Sequence, residues 1–139
     1  LRAMFSEVHR VLKVGGVFVF SSLVDGSLYE LKRAWSEVDS AQHVNEFAFI
    51  DDYKQALSGL GYSVTTLNVE EKVLRYNKVN ELTRELRTLG AHNITAHRPT
   101  NMTGKQKLKQ FVSAYESFRQ SDGMLPATYQ VLWGVLQKT

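Results

Sequence analysis

"LKVGGVFVFSSLVDGS" (residues 12–27) holds a seven-residue run, VFVFSSL, between two glycine turns. The run is apolar, β-branched and aromatic, with no polar alternation before Ser21. Such a run is expected to form a strand buried on both faces, as in a parallel sheet. Upstream, Leu1, Met4, Phe5, Val8, Val11 and Leu12 repeat at helical spacing, and Gly15-Gly16 end that helix in a turn. Downstream, Asp25-Gly26-Ser27 turns the chain into a second helix with the stripe Leu28, Leu31, Trp35 and Val38.

Working outward, "AQHVNEF" (41–47) reads as a loop. A short helix follows with Tyr53, Leu57 and Leu60, ended by Gly59 and Gly61, where a left-handed cap is wanted. "YSVTTLNVEEKVLRY" (62–76) reads as a long strand. The order α–β–α–α–β is the rhythm of an open α/β sheet. The pattern then changes. Val79, Leu82, Leu86 and Leu89 mark an amphipathic helix stopped by Gly90. A loop spans 91–102. Thr103 to Gln106 has capping-box spacing and opens a helix with Leu108, Phe111, Val112, Tyr115 and Phe118, broken by Gly123 and Pro126. "TYQVLWGVLQK" (128–138) closes the chain as a strand with Tyr129, Val131, Trp133 and Val135 on one face. The last two strands are placed to pair antiparallel, with a helical insertion between them. The expected organisation is therefore a core over 1–76, a helical insertion over 77–124 and a final core strand over 125–139.

Three strands are few for such a sheet, and the first is too apolar for an edge. Its neighbours are expected upstream, or from a second copy of the chain. The N-terminus has no initiator Met and no signal-peptide pattern, and it starts inside a helical periodicity, so the chain is expected to begin within a longer protein.

Composition narrows the chemistry. The 139 residues are 43% apolar and 22% charged, with no cysteine. Disulfides and thiolates are excluded, and zinc would depend on His and carboxylates. No apolar stretch is long enough to span a membrane, and a cytoplasmic location is expected. The net charge of +3 is uneven: residues 75–109 hold eight basic side chains and two acidic ones. Such an excess points to an acidic partner or to a solvated cationic face.

Gly15-Gly16, Gly59 and Gly61 precede strands. A dinucleotide-type loop follows one, so no phosphate cradle is present. Ser21, Ser22 and Asp25 stand where a crevice would open at the strand's carboxyl end, and turn chemistry also explains them. His92 and His97 in "LGAHNITAHRP" (89–99) are five apart, whereas helical metal pairs prefer three or four. No metal site is expected, and the segment reads as a polar or substrate-facing loop. Arg84 and Arg87, three apart on a helix, suit carboxylates and phosphates; Glu81 and Glu85 are their available helix partners. His43 and Asn45 sit in an interhelical loop at a possible site edge. Trp35, Tyr115, Tyr129 and Trp133 fall on apolar stripes and read as core.

"LRAMFSEVHRVLKVGGVFVFSSL" (1–23) resembles the helix, turn and fifth strand of class I S-adenosylmethionine-dependent methyltransferases, whose usual form is R-V-L-K-P-G-G. Arg10 to Gly16 match, with Val14 in the proline position. "GSLYELKRAWSEVD" (26–39), "HVNEF" (43–47), "LTRELRTLGAHN" (82–93) with "HRP" (97–99), and "LPATYQVLWG" (125–134) together resemble the malonyl-acyl-carrier-protein O-methyltransferases of biotin synthesis. The resemblance runs along nearly the whole chain. It implies the C-terminal half of a Rossmann-like α/β sheet, with a helical insertion before an antiparallel last strand. It also implies methyl transfer from S-adenosylmethionine to the free carboxylate of a malonyl thioester on acyl carrier protein. Family motifs fall on Arg84, Leu86, Arg87, Gly90, Arg98, Leu125-Pro126, Thr128-Tyr129 and Gly134. A glycine is usual before that third arginine; here it is His97. The candidate substrate-binding residues are Arg84, Arg87 and Arg98 on the family motifs, with His43, Asn45 and His92 from their loop positions, and no catalytic residue is assigned. The glycine-rich cofactor loop would lie upstream, so this chain alone is expected neither to bind S-adenosylmethionine nor to turn over. Carboxylate methylation needs little acid–base help, because the nucleophile is ionised at neutral pH; alignment is the main task. The alternative is a non-catalytic binding domain whose basic insertion grips nucleic acid. Against it, the basic cluster has no interleaved aromatics and no nucleic-acid motif.

Overall fold

A computed structural model describes residues 1–41, 43–89 and 102–139, without the side chains of Met102 and Thr103. The elements are α1 (Arg2–Val11), β1 (Val17–Leu23), α2 (Tyr29–Ser36), α3 (Ile50–Leu57), β2 (Tyr62–Tyr76), α4 (Val79–Thr88), α5 (Met102–Glu116) and β3 (Leu125–Lys138). The chain divides into two compact units. One comprises residues 1–27, 47–72 and 130–139, and the other 28–46 and 73–129.

The first unit is built on the sheet. β3 lies between β1 and β2, and it runs antiparallel to β1 in a register from Val17↔Gln137 to Leu23↔Val131. Its core joins Phe5 of α1, Tyr53, Ala56 and Leu57 of α3, and Leu132 and Leu136 of β3, with Phe18 and Phe20 of β1 against them. Phe5 lies 5.3 Å from Phe20, centroid to centroid, in a tilted pair. Room for Phe20 comes from its cross-strand partner Gly134, where an added Cβ would sit 2.2 Å from the Phe20 ring.

The faces of this sheet differ from the sequence expectation. β1 is not covered on both sides: Val17 and Val19 are 53% and 65% exposed, while Phe18 and Phe20 turn to the core. β1 pairs with β3 alone among the described residues, so the valines have no layer over them. Trp133 alternates outward for the same reason. It is 41% exposed, not core, and its indole N–H donates to Glu70 Oε2 at 3.1 Å. The buried face of β3 is instead Leu132, Gly134 and Leu136.

Two side chains close helix ends in this unit. Arg2 donates to the Ser58 carbonyl at 2.7 Å, beyond the end of α3. Lys138 Nζ donates to the His9 and Leu12 carbonyls at 2.7 and 2.9 Å, satisfying acceptors the end of α1 leaves open.

The second unit packs α2 against α5 and α5 against α4. Leu28 opens α2 in the left-handed region, φ 56°, which is unusual for a branched residue. It is held there by complete burial and by its N–H donating to the Thr128 carbonyl at 2.6 Å. Leu31, Leu82, Leu86, Phe111, Tyr115, Leu125 and Ala127 complete the core. β3 begins at Leu125, three residues before the expected strand, with Pro126 near its start, the one place in a strand where its missing N–H is harmless.

Candidate functional site

The helices of the second unit carry the residues of interest. α4 turns Val79, Leu82 and Leu86 inward, which leaves Arg84 and Arg87 exposed. Glu81 and Glu85 do not neutralise them. Glu81 accepts the Asn77 N–H at 3.0 Å at the start of the helix, and Glu85 accepts the Tyr76 hydroxyl. Neither arginine side chain has a hydrogen-bond or ion-pair partner among the described residues. Both line a groove of about 240 Å³ between α4 and α5, with Val79, Leu108, Phe111 and Val112 also in its wall. Two unpaired guanidinium groups thus sit beside an apolar surface, an arrangement that suits a ligand with an anionic group attached to an aliphatic chain.

Phe111, in that wall, is also the end of a ring column. Trp35 stacks on Phe111 at 4.2 Å and, on its other face, on His43 at 4.0 Å. His43 is buried, 7% exposed, and its Nε2 lies 2.7 Å from Asp39 Oδ1. Lys107 of α5 donates to the second oxygen of Asp39 at 3.2 Å, and the Ala41 N–H donates to the first at 3.1 Å. Burial pushes the Asp39 carboxyl up, but the bonds from His43, Lys107 and Ala41 outweigh it, and its pKa lies below the usual carboxylate range. Trp35, Asp39 and His43 line a cleft of about 500 Å³ together with Lys32 and Glu46, themselves ion-paired at 3.0 Å. Asn45 is exposed on the same loop. Asp39 and His43 follow the end of α2, and nothing in the sequence ties Trp35 to Phe111 or Asp39 to Lys107.

A second polar cluster lies deeper. Glu30 is completely buried and accepts the Thr128 N–H and Oγ1 at 3.0 and 2.7 Å. Tyr115 donates to the Pro126 carbonyl at 2.8 Å. Burial, then the nearby Glu30 carboxylate, pushes the Tyr115 phenol far above its ordinary value. Burial and the bond to Glu85 do the same to Tyr76. Tyr129 is also raised, mainly by burial and secondarily by Glu85. This cluster fixes the strand ends to α2 and α4.

Arg98, His92 and His97 lie outside the described residues. Among the described residues, no three His, Asp or Glu side chains are placed to hold a metal, and no helix is long and apolar enough to cross a membrane. In the first unit, Ser22 is taken up by Tyr53, whose hydroxyl donates to it at 2.8 Å. The cavity beyond β1, about 300 Å³, is walled by Asp25, Gly26, Asp51, Phe49 and neighbours.

The arrangement is that of the class I methyltransferase fold. The chain superposes on a candidate methyltransferase from Bacillus halodurans C-125 with a TM-score of 0.55 at 12% identity, covering 99% of this chain and 57% of that one. By sequence it is 41% identical over 132 residues to the malonyl-[acyl-carrier protein] O-methyltransferase of Laribacter hongkongensis, covering 95% of this chain and 44% of that protein. The protein of the same name from Gallionella capsiferriformans is 39% identical, with 96% and 46% covered. The biotin biosynthesis bifunctional protein BioHC of Saccharophagus degradans is 42% identical, with 94% and 25% covered. No protein-family profile matches. The chain is a relative of the malonyl-[acyl-carrier protein] O-methyltransferases, matches their C-terminal portion, and spans less than half their length.

Proposed function

We propose that the full-length protein containing this chain transfers a methyl group from S-adenosylmethionine to the free carboxylate of a malonyl thioester carried on acyl carrier protein, a step of biotin synthesis. The observation that supports this most is identity of 41% to a malonyl-[acyl-carrier protein] O-methyltransferase, sustained over 95% of the chain. That span includes the second unit, where general substrate-binding architecture would diverge first. In this reading the first unit supplies part of the sheet, and the second is the substrate-facing cap. Arg84 and Arg87 meet the anionic substrate; Arg98 and His92, outside the described residues, are assigned to the same substrate. Asn45 stands open on the loop after α2. His43, buried behind Trp35, is a positioning residue for the Trp35–Phe111 wall.

The reaction asks for no acid or base from the chain, since a carboxylate is ionised at neutral pH. The contribution of the chain's own residues is binding and orientation. The cofactor is held by the remainder of the protein, and residues 1–139 alone neither bind it nor turn over. The test is mass spectrometry of malonyl-carrier protein incubated with the full-length protein and S-adenosylmethionine. A methyl ester on malonyl-carrier protein, with acetyl-carrier protein unchanged, is the expected result. No modification of the malonyl form would end the proposal. Calorimetry on residues 1–139 checks the second part: micromolar binding of S-adenosylmethionine by the chain alone would contradict it.

A further inference from the structure

The groove between α4 and α5 sharpens the substrate reading, and the inference drawn from it rests on that reading. A malonyl-carrier substrate offers three anionic features: the reacting carboxylate, the phosphodiester of the prosthetic arm, and the acidic protein surface. We propose that Arg84 and Arg87 grip the phosphodiester, with the branched aliphatic part of the arm lying on Leu108, Phe111 and Val112. The malonyl carboxylate is held elsewhere.

Charge bookkeeping along the reaction separates the first two. The carboxylate oxygen forms a bond to the incoming methyl carbon and becomes a neutral ester. Its negative charge is already falling in the transition state. Two guanidinium groups on that carboxylate would stabilise the reactant more than the transition state and so slow the chemistry. A phosphodiester keeps its charge from encounter to product release. Pairing with it is uniform binding, which lowers KM without opposing kcat. Both arginines are unpaired among the described residues and line the same groove, so the site is poised for one anion of constant charge.

Shape separates the phosphodiester from the protein surface. The groove is about 240 Å³, and a helix with its side chains is about 10–12 Å across. An extended chain fits that space and a carrier helix does not. The wall formed by Val79, Leu108, Phe111 and Val112 also suits an aliphatic chain, which an acidic protein face does not offer beside its charges.

The experiment compares malonyl-phosphopantetheine with malonyl-pantetheine, which lacks the phosphate, in the full-length protein and in its Arg84→Gln plus Arg87→Gln variant. The wild type is expected to show a KM at least about tenfold lower for the phosphorylated substrate, at similar kcat. The double variant is expected to lose that preference. A preference that persists in the variant overturns the proposal. So does a rise in KM that is equal for both substrates, which would put the arginines on the carboxylate that the two share. A variant defect seen with malonyl-carrier protein but with neither small substrate overturns it too, in favour of the carrier's acidic surface. Calorimetry with phosphopantetheine and pantetheine reads the same preference without turnover. If the wild type methylates nothing, the substrate reading has failed, while this binding measurement still decides for or against the phosphate grip. Circular dichroism of the variant confirms that it folds.

Discussion

A buried carboxyl group has to find hydrogen-bond donors inside the fold. Glu30 meets that demand through one residue, Thr128, using both its N–H and its hydroxyl. Replacing Thr128 with Val keeps the shape and the N–H but strips one bond from a buried carboxyl group. The expected loss is about 1–3 kcal/mol in a urea denaturation series, and Thr128→Ser should recover much of it. Asp39 can be tested by proton linkage. Its folded pKa lies below the ordinary carboxylate value, so its contribution is present above that value and is lost as pH falls through the depressed one. His43→Phe keeps a ring on Trp35 but removes one donor. The folded pKa of Asp39 then rises, and acid unfolding, followed by tryptophan fluorescence, begins at higher pH than in the parent.

At the scale of elements, β3 is the most constrained. Gly134 has no room for a side chain because Phe20 occupies it. Gly134→Ala should therefore cost about 1–3 kcal/mol by overpacking, measured as a lower denaturation midpoint. Lys138→Met should cost less, about 1 kcal/mol, by leaving the His9 and Leu12 carbonyls to water. The elements themselves are legible in the sequence, because apolar spacing states the period directly: β1 and β2 begin and end where their runs do. Burial is less legible. VFVF reads as core on both sides, yet coverage depends on what lies above the sheet, and Val17, Val19 and Trp133 have nothing there. Glu30 gives no signal in the sequence, because a glutamate beside an apolar stripe carries no sign that a threonine ninety-eight residues away will claim it. The arginine pair is found from spacing and residue type. Its release from Glu81 and Glu85 becomes visible only once Asn77 and Tyr76 have taken those carboxylates.

Across the whole molecule, four tyrosines have phenols raised above their ordinary value, burial being the largest cause in each: Tyr62, Tyr76, Tyr115 and Tyr129. The unfolded chain loses its phenolic protons near pH 10, while the folded chain keeps them to higher pH. Their neutral burial therefore stabilises the fold fully below about pH 10, and that contribution is lost as pH rises past it toward the folded values. Denaturation midpoints measured at intervals from pH 8 upward should fall on the alkaline side, and Tyr115→Phe should soften the decline while losing its bond to Pro126. The open border of β1 has a different outcome in store. Along Val17–Leu23 one row of amides and carbonyls faces away from β3, flanked by bare valines, and it can serve as a template for another polypeptide's backbone. In concentrated solution the isolated chain should grow into stacked ribbons through that margin, and a lysine at Val19 should keep it dispersed.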